Sequence, residues 1–230
     1  MPHSRTTRIL AIRHGETAWN VDKRIQGQID IGLNATGRWQ AERLAEALAG
    51  GDGQDGALDL IYSSDLSRAF DTASALARAS GWPLRQHTGL RERHFGAFQG
   101  RTPEEVAVLH PEQFQAWRQR DADFCPEGGE SLRSFQARCV ATAAELAERH
   151  LGGTIALVAH GGVLDCLYRA ASGMSIEAPR SWQLGNASIN RLLYTEGALR
   201  LIGWGDTQHL DSALDEIDEA LRPRAVGSLS

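Results

Sequence analysis

The chain has 230 residues, a length that fits one large domain or two small ones and suffices for a substantial hydrophobic core. Its 42% hydrophobic and 23% charged residues are typical of a globular protein and exclude collagen, coiled-coil and disordered chains. The formal net charge of −5 provides no overall positive field to attract nucleic acid or an acidic membrane. We therefore expect neither as a partner, and any anionic ligand must be bound by local positive charge.

Localisation and redox chemistry are indicated by what the sequence lacks. No apolar run approaches the roughly 18 residues of a spanning helix, and the first residues lack the apolar segment of a secretory signal, so we expect a cytoplasmic location. The three cysteines, Cys125, Cys139 and Cys166, are far apart and form no Cys-x-x-Cys pair. This spacing predicts reduced packing residues rather than a zinc site, and we expect no cofactor.

The first half of the chain predicts strands that alternate with helices. Apolar runs bounded by turn residues predict strands, and apolar residues at helical spacing predict helices. In order, these patterns predict a strand at 8–13 that ends before His14, a helix from the cap Asn34 to Gly50, a strand at 58–64, a helix from 66 to Gly81 and a short strand near 84–88.

The second half continues the alternation. Thr102-Pro103-Glu104-Glu105 combines a capping box with proline at the first helical position, which predicts a helix that stops near His110-Pro111. The remaining patterns predict a long helix at 131–149 capped by Ser131, a strand at 154–159 that ends before His160, a hairpin of strands at 188–195 and 198–203, and a C-terminal helix at about 209–222.

This order of elements predicts an α/β fold. We expect a three-layer sandwich with a mainly parallel sheet covered by helices on both faces, formed by residues 1–230 as one domain. Ligands of such sheets bind beyond the carboxyl ends of the strands. Arg13-His14 and His160 follow two such ends, so the two histidines are expected to meet in one pocket although they are far apart in sequence.

Four sequence blocks carry a family resemblance. They are Arg13-His14-Gly15-Glu16-Thr17 with Asn20, then Ser63-Ser64-Asp65-Leu66-Ser67-Arg68-Ala69, then Leu90-Arg91-Glu92 ahead of Phe95-Gly96, and finally Ala159-His160-Gly161. Together they resemble the histidine phosphatase superfamily, the phosphoglycerate-mutase-like proteins, over about residues 8–204. One Arg-His-Gly alone is weak evidence, but four blocks in the right order after the right elements are specific. The resemblance implies the same sandwich fold.

The resemblance also implies the catalytic roles. His14 attacks phosphorus and forms a phosphohistidine. Arg13 and Arg68 bind phosphate oxygens and lower the pKa of His14, which keeps the ring neutral. A cationic His160 stabilises the transition state, and Glu92 protonates the leaving group and then activates water. These parts match what phosphoryl transfer needs: an in-line nucleophile, positive charge on the equatorial oxygens and an acid for the leaving oxygen.

Further positions match the substrate-binding residues of the family, namely Asn20, Gln26 and Gly161. The resemblance implies a small phosphorylated metabolite as substrate, and the sequence contains no metal-ligand cluster, so we expect no metal. Residues 101–130 are interpreted as a lid, in which Trp117 could contact substrate. Each residue also has an ordinary structural interpretation: a hydrogen-bonded histidine, a solvated Arg68, or a Glu92 paired with Arg91 or Arg93. The four-block context favours function.

The sequence favours a phosphatase over a mutase. Mutases typically have a longer insertion between the equivalents of Glu92 and His160, an arginine pair within it, a lysine where this chain has Pro103, and Asn where it has Gly162. Against this, the stretch from Glu92 to Gly100 is close to the mutase version of that turn. The hypothesis is metal-independent phosphomonoester hydrolysis. Mutase-type transfer and a noncatalytic phosphate-binding module remain as alternatives, and a homodimer is possible.

Overall fold

A computed structural model describes residues 6–50 and 55–211. Its six strands within these residues are β1 (Thr6–Arg13), β2 (Leu60–Ser63), β3 (Leu84–Gln86), β4 (Thr154–Ala159), β5 (Ile189–Thr195) and β6 (Ala198–Asp206). The helices are α1 (Ala18–Val21), α2 (Ala35–Ala49), α3 (Ser67–Ser80), α4 (Pro103–Leu109), α5 (Pro111–Arg118), α6 (Leu132–Glu148) and α7 (Gly161–Ser172), with short 3-10 turns at Thr88–Leu90 and Gly96–Phe98. Most of the predicted C-terminal helix at 209–222 lies outside the described residues.

The strands form one mixed sheet in the order β3-β2-β4-β1-β5-β6. The first four strands in this order run parallel to one another. β5 runs antiparallel to both of its neighbours, β1 and β6, and forms the predicted hairpin with β6 at the edge of the sheet. The α/β sandwich with a mainly parallel sheet is therefore confirmed. All four parallel strands point their carboxyl ends to the same edge.

Two hydrophobic cores cover the two faces of the sheet. Alternation along β1 separates them: Ile9 and Ala11 belong to one core, and Leu10 and Ile12 belong to the other. The first core is completed by side chains of α6 and α7, and the second by α2 and α3. This alternation determines which residues of β1 face each helical layer. It therefore also determines the position of His14, which follows the strand.

The cysteines fit the packing prediction in two cases. Cys139 and Cys166 are buried in the α6–α7 core, whereas Cys125 is exposed in the loop before α6, so the prediction of a packing role is wrong for Cys125. The reason is local: Arg, Asp, Pro and Gly surround it and leave no apolar periodicity to bury it. All three are free thiols.

Candidate active site

The sheet register places the two histidines side by side. Arg13, the last residue of β1, is the register partner of Ala159, the last residue of the parallel strand β4. His14 and His160 therefore leave neighbouring strands at the same level. Their ring centroids are 5.2 Å apart, and both residues are buried. The prediction that they meet is confirmed.

A single hydrogen bond sets the tautomer of His14. Its Nδ1 lies 2.7 Å from the carbonyl oxygen of Gly15. Because a carbonyl oxygen only accepts, Nδ1 carries the hydrogen and the neutral ring has its lone pair on Nε2. Burial lowers the pKa of His14 well below its ordinary value, and Arg13 and Arg68 lower it further. The ring is thus held neutral, with one nitrogen available as a nucleophile.

Arg68 is buried at the start of α3, with 1% of its surface exposed, so it is not a solvated helix residue. Its Nη1 and Nη2 donate to the carbonyl oxygens of Ile29 and Gly27 at 2.9 and 2.7 Å. Its buried Nε has no hydrogen-bond partner within the described ranges. Burial lowers the pKa of Arg68 to about 10, which still leaves a cation at neutral pH.

Arg13 supplies the second guanidinium. Its Nη1 donates to the carbonyl oxygen of Leu184, and its buried Nε has no hydrogen-bond partner in the part of the chain that the structure describes. Burial lowers the pKa of Arg13. Among the described residues, neither Arg13 nor Arg68 forms a salt bridge with a carboxylate. A half-buried and a buried guanidinium that form no salt bridge make a site that favours an anion.

His160 is neutral in the free site. Burial lowers its pKa well below the ordinary value, and the charges of Arg68, His14 and Arg13 add to the effect. Neither ring nitrogen has a hydrogen-bond partner within residues 6–50 and 55–211. The cationic His160 that the resemblance implies belongs to the site with a phosphate dianion bound, and it stays a prediction. In the free site the surrounding arginines disfavour a further positive charge.

Backbone amides hold the Glu92 carboxylate. Its Oε2 accepts from the Gly162 amide at 2.9 Å, and its Oε1 accepts from the Arg93 amide at 2.8 Å. The Arg91 guanidinium is instead paired with Asp65, so the structural alternative of a Glu92–Arg91 pair is wrong. A Cβ at position 162 would lie 2.2 Å from Oε1. Glycine in the first turn of α7 thus lets the helix amide reach the carboxylate.

These side chains line one cleft of about 200 Å³. Its walls contain seven predicted site residues and three that were not predicted to line the site: Arg13, His14, Asn20, Gln26, Arg68, Glu92 and Gly161, together with Ile25, Gly27 and Phe95. The Asn20 Oδ1 accepts from the Thr17 amide at 3.0 Å and from Asn186 Nδ2 at 3.3 Å. The Gln26 Oε1 is buried without a partner in the described part of the chain.

A second cavity of about 250 Å³ adjoins the cleft and shares Glu92 and Phe95 with it. Its other walls come from five regions of the chain: Arg93, Trp117, Arg120, Leu132, Phe135, Gly162, Asp165 and Arg180. Trp117 was expected to contact substrate and does line this cavity. Arg93 and Arg180 were not predicted as site residues. Arg93 was considered only as an ion-pair partner of Glu92, and Arg180 lies in irregular sequence where no periodicity or motif marks it.

The described residues contain neither a membrane-spanning helix nor a metal-binding cluster. No helix in residues 6–50 and 55–211 is long and apolar enough to cross a membrane. Within the same ranges, no three His, Cys, Asp or Glu side chains are grouped so that they could hold a metal ion.

Comparisons with known proteins identify a family and several relatives. Residues 9–207 match the family model of the histidine phosphatase superfamily (branch 1). The chain is 38% identical to phosphoglycerate mutase-like protein 4 of Arabidopsis thaliana, over 88% of this chain and 86% of that protein. It is 36% identical to the metal-independent phosphoserine phosphatase of the same plant, over 91% and 85% respectively.

A solved structure is also similar: mycobacterial glucosyl-3-phosphoglycerate phosphatase in complex with VO3 superimposes with a TM-score of 0.75 at 37% identity. The match covers 87% of this chain and 99% of that one. On this sequence and structural evidence, the chain belongs to the histidine phosphatase superfamily.

Proposed function

We propose that this protein hydrolyses phosphomonoesters of small metabolites through a phosphohistidine on His14. Family membership and phosphatase relatives at 36–40% identity make the chain a phosphomonoester hydrolase. The observation that supports the covalent route is the His14–Gly15 hydrogen bond, which leaves Nε2 unprotonated beside two unpaired guanidiniums. A cytoplasmic location remains a prediction from the sequence.

In the first step, the His14 Nε2 lone pair attacks phosphorus and the bond from phosphorus to the ester oxygen breaks. Arg13 and Arg68 neutralise the equatorial oxygens, for which their fork of donors is suited. Glu92, in its protonated form, gives its proton to the leaving oxygen, so that an alcohol departs. A bound phosphate dianion counteracts the field of the arginines, and His160 then serves as a further donor to phosphate.

In the second step, water attacks the phosphorus of phospho-His14. Glu92, ionised after the first step, accepts a proton from this water while the bond between phosphorus and Nε2 breaks. Inorganic phosphate leaves and His14 returns to its neutral form. The arginines and His160 supply the positive charge in both steps, so the chemistry does not call for a metal ion. The relative named as a metal-independent phosphoserine phosphatase supports this part of the proposal.

Trapping the intermediate tests the proposal. The protein, with EDTA present, is mixed with a phosphomonoester and quenched in base, which preserves phosphohistidine. We expect phosphate on the tryptic peptide spanning residues 14–23, free phosphate among the products, and a loss of about 10³-fold or more in kcat for His14→Gln. His150→Gln is the matched control, because His150 lies before the amino end of β4 and bonds Tyr62.

Full hydrolysis by His14→Gln would overturn the covalent route. If 3-phosphoglycerate instead yields 2-phosphoglycerate without free phosphate, the mutase alternative replaces hydrolysis. If phosphate binds but no ester reacts, the noncatalytic alternative replaces both.

A further inference from the structure

The cavity that adjoins the phosphate cleft has the charge of an anion site. It is lined by three arginines and two carboxylates, and one of these carboxylates is Glu92, which the mechanism uses as its acid and base. The other is Asp165, whose Oδ2 already accepts from Arg120 at 2.8 Å and from Arg169 at 3.0 Å. The Asp165 carboxylate is therefore shared by the guanidiniums of Arg120 and Arg169. The three lining arginines outnumber the two lining carboxylates, so the cavity has an excess of positive charge.

Two of the three arginines are fixed as parts of the wall. Arg93 donates to the carbonyl oxygens of Glu130 and Phe124, both at 3.0 Å, and lies over the Phe95 ring. Arg120 donates to Asp165 and, through Nε, to the carbonyl oxygen of Ile176. These contacts leave Arg93 and Arg120 with little freedom to reorient toward a ligand, although they contribute to the positive potential.

Arg180 is different. It is exposed at the rim of the cavity and forms no hydrogen bond or salt bridge within residues 6–50 and 55–211. Its charge is one of those that lower the pKa of Arg13, so it acts at short range on the phosphate site. The same loop provides the carbonyl oxygen of Leu184 that accepts from Arg13.

The backbone that carries Arg180 is anchored. Two residues further on, the Trp182 ring stacks on Tyr168 of α7, with ring centroids 4.0 Å apart and planes inclined by 21°. The Arg169 guanidinium lies 4.7 Å from the Trp182 ring centroid, and its Nε is bonded to Asp165. Because the loop is anchored, ligand binding has to order only the Arg180 side chain and not the backbone that carries it.

From this geometry we propose that the protein selects phosphomonoesters whose leaving alcohol carries a carboxylate, and that Arg180 binds this carboxylate. The proposal rests on the proposed function, because it assigns the adjoining cavity to the leaving group. Glu92 lines both cavities, so the oxygen that it protonates lies at their boundary, and the second cavity offers a volume of about 250 Å³ for the rest of the alcohol. Trp117, Phe95 and Leu132 form an apolar wall for the carbon skeleton.

Two pairs of substrates isolate the carboxylate. O-phosphoserine and O-phosphoethanolamine differ only in this group, and 3-phosphoglycerate differs from glycerol 3-phosphate by a carboxylate in place of a hydroxymethyl group. We expect kcat/KM for the carboxylate-bearing member of each pair to be higher by about tenfold or more, as a charged hydrogen-bond partner warrants. Release of phosphate is measured for all four esters with EDTA present.

Variants assign the preference to a residue. Arg180→Gln is expected to lower kcat/KM for phosphoserine about tenfold or more and to leave that for phosphoethanolamine within about twofold, whereas Arg180→Lys retains part of the preference. Arg118→Gln is the control, because Arg118 lies on α5 near the cavity but faces Phe114 and does not line it. It should leave both values unchanged.

Three outcomes would overturn the proposal, and each differs from failure of the proposed function. Equal kcat/KM for both members of each pair would remove the carboxylate preference. A preference that Arg180→Gln does not change would assign it to another residue. An equal loss for both esters would mean that Arg180 acts through Arg13 on the phosphate alone. Failure of the proposed function itself appears separately, as absence of hydrolysis for all four esters.

Discussion

At the residue scale, the position of His14 depends on two glycines that touch across the molecule. A Cβ at Gly15 would lie 2.3 Å from the carbonyl oxygen of Gly37, and a Cβ at Gly37 would lie 2.0 Å from that of Glu16. The loop that carries the nucleophile is therefore packed backbone to backbone on the first turn of α2. The Gly15 amide also donates to Thr72 Oγ1 on α3, at 3.0 Å. Both helices of one layer thus fix the loop.

This close approach predicts a large effect of one methyl group. Gly37→Ala must push the loop after His14 away from α2, and we expect the free energy of unfolding to fall by about 1–3 kcal/mol, with a loss of kcat. Gly50→Ala is the matched control, since Gly50 has helical backbone angles and a Cβ there would meet nothing within 4 Å. It should be neutral or stabilising by about 0.4–1 kcal/mol. Urea denaturation and steady-state kinetics measure both, and equal stability of the two variants would contradict the packing argument.

At the element scale, the segment at 101–130, which is predicted to be a lid, is joined to α7 through a buried carboxylate. Asp165 on α7 accepts from Arg120, which follows α5, and from Arg169, one turn further along α7. The Asp165 and Arg169 side chains are 7% and 0% exposed. This triad connects Arg120 in the wall of the second cavity to α7, the helix that begins directly after His160.

Asp165→Asn leaves two guanidiniums near each other without a counterion. We expect the free energy of unfolding to fall by about 3 kcal/mol and KM to rise, because Arg120 and the lid lose their fixed position. Asp123→Asn is the control: its ion pair with Arg133 is exposed, and such pairs contribute little. Thermal unfolding of both variants measures the change in stability, and KM for one substrate measures the effect on the cavity. An Asp165→Asn protein as stable as Asp123→Asn would show that the triad does not hold the lid.

Sequence patterns predicted the elements that carry local signals. Asn34, Thr102 and Ser131 cap α2, α4 and α6 as expected, because each side chain accepts from a backbone amide three residues later. Three helices were missed, namely α1, α5 and α7, and α1 is a single turn of four residues capped by Thr17. Pro111 was interpreted as the end of α4, yet it also occupies the first position of α5, where its fixed φ suits a helix. The two glycines that open α7 concealed its start.

In the active site, too, residues with a local sequence signal could be predicted and residues without one could not. Residues next to strand ends or within a motif, such as His14 and Arg68, could be assigned from the sequence. Arg180 and Asn186 could not, because their position depends on how the loop after α7 packs on the rest of the molecule. Asn186 donates to the carbonyl oxygen of His14 at 3.0 Å across a separation of most of the chain. No local pattern encodes such a contact.

At the scale of the whole molecule, burial of neutral histidines makes the stability of the fold depend on pH. The pKa values of His14 and His160 are lowered well below the ordinary value, chiefly by burial, and that of His209 is lowered as well. In the unfolded chain these groups bind protons near pH 6.5. Between this value and their lower folded pKa values, the unfolded state binds more protons than the folded state. Stability is therefore complete above about pH 6.5 and decreases as the pH falls below it.

This linkage predicts a decline of stability in mildly acidic solution, before most carboxylates titrate. Each such histidine contributes a slope of up to about 1.4 kcal/mol per pH unit, so His14 and His160 together give up to about 2.7 kcal/mol per unit. We expect the free energy of unfolding to fall steeply between pH 6.5 and 5. Because glutamine does not titrate, the His14→Gln/His160→Gln double variant should show a much flatter profile, whatever its absolute stability. Urea denaturation at half-unit intervals measures both slopes. Parallel profiles would show that the two active-site histidines have about the same pKa in the folded and unfolded states, so that burial and the two arginines do not keep His14 neutral below pH 6.5.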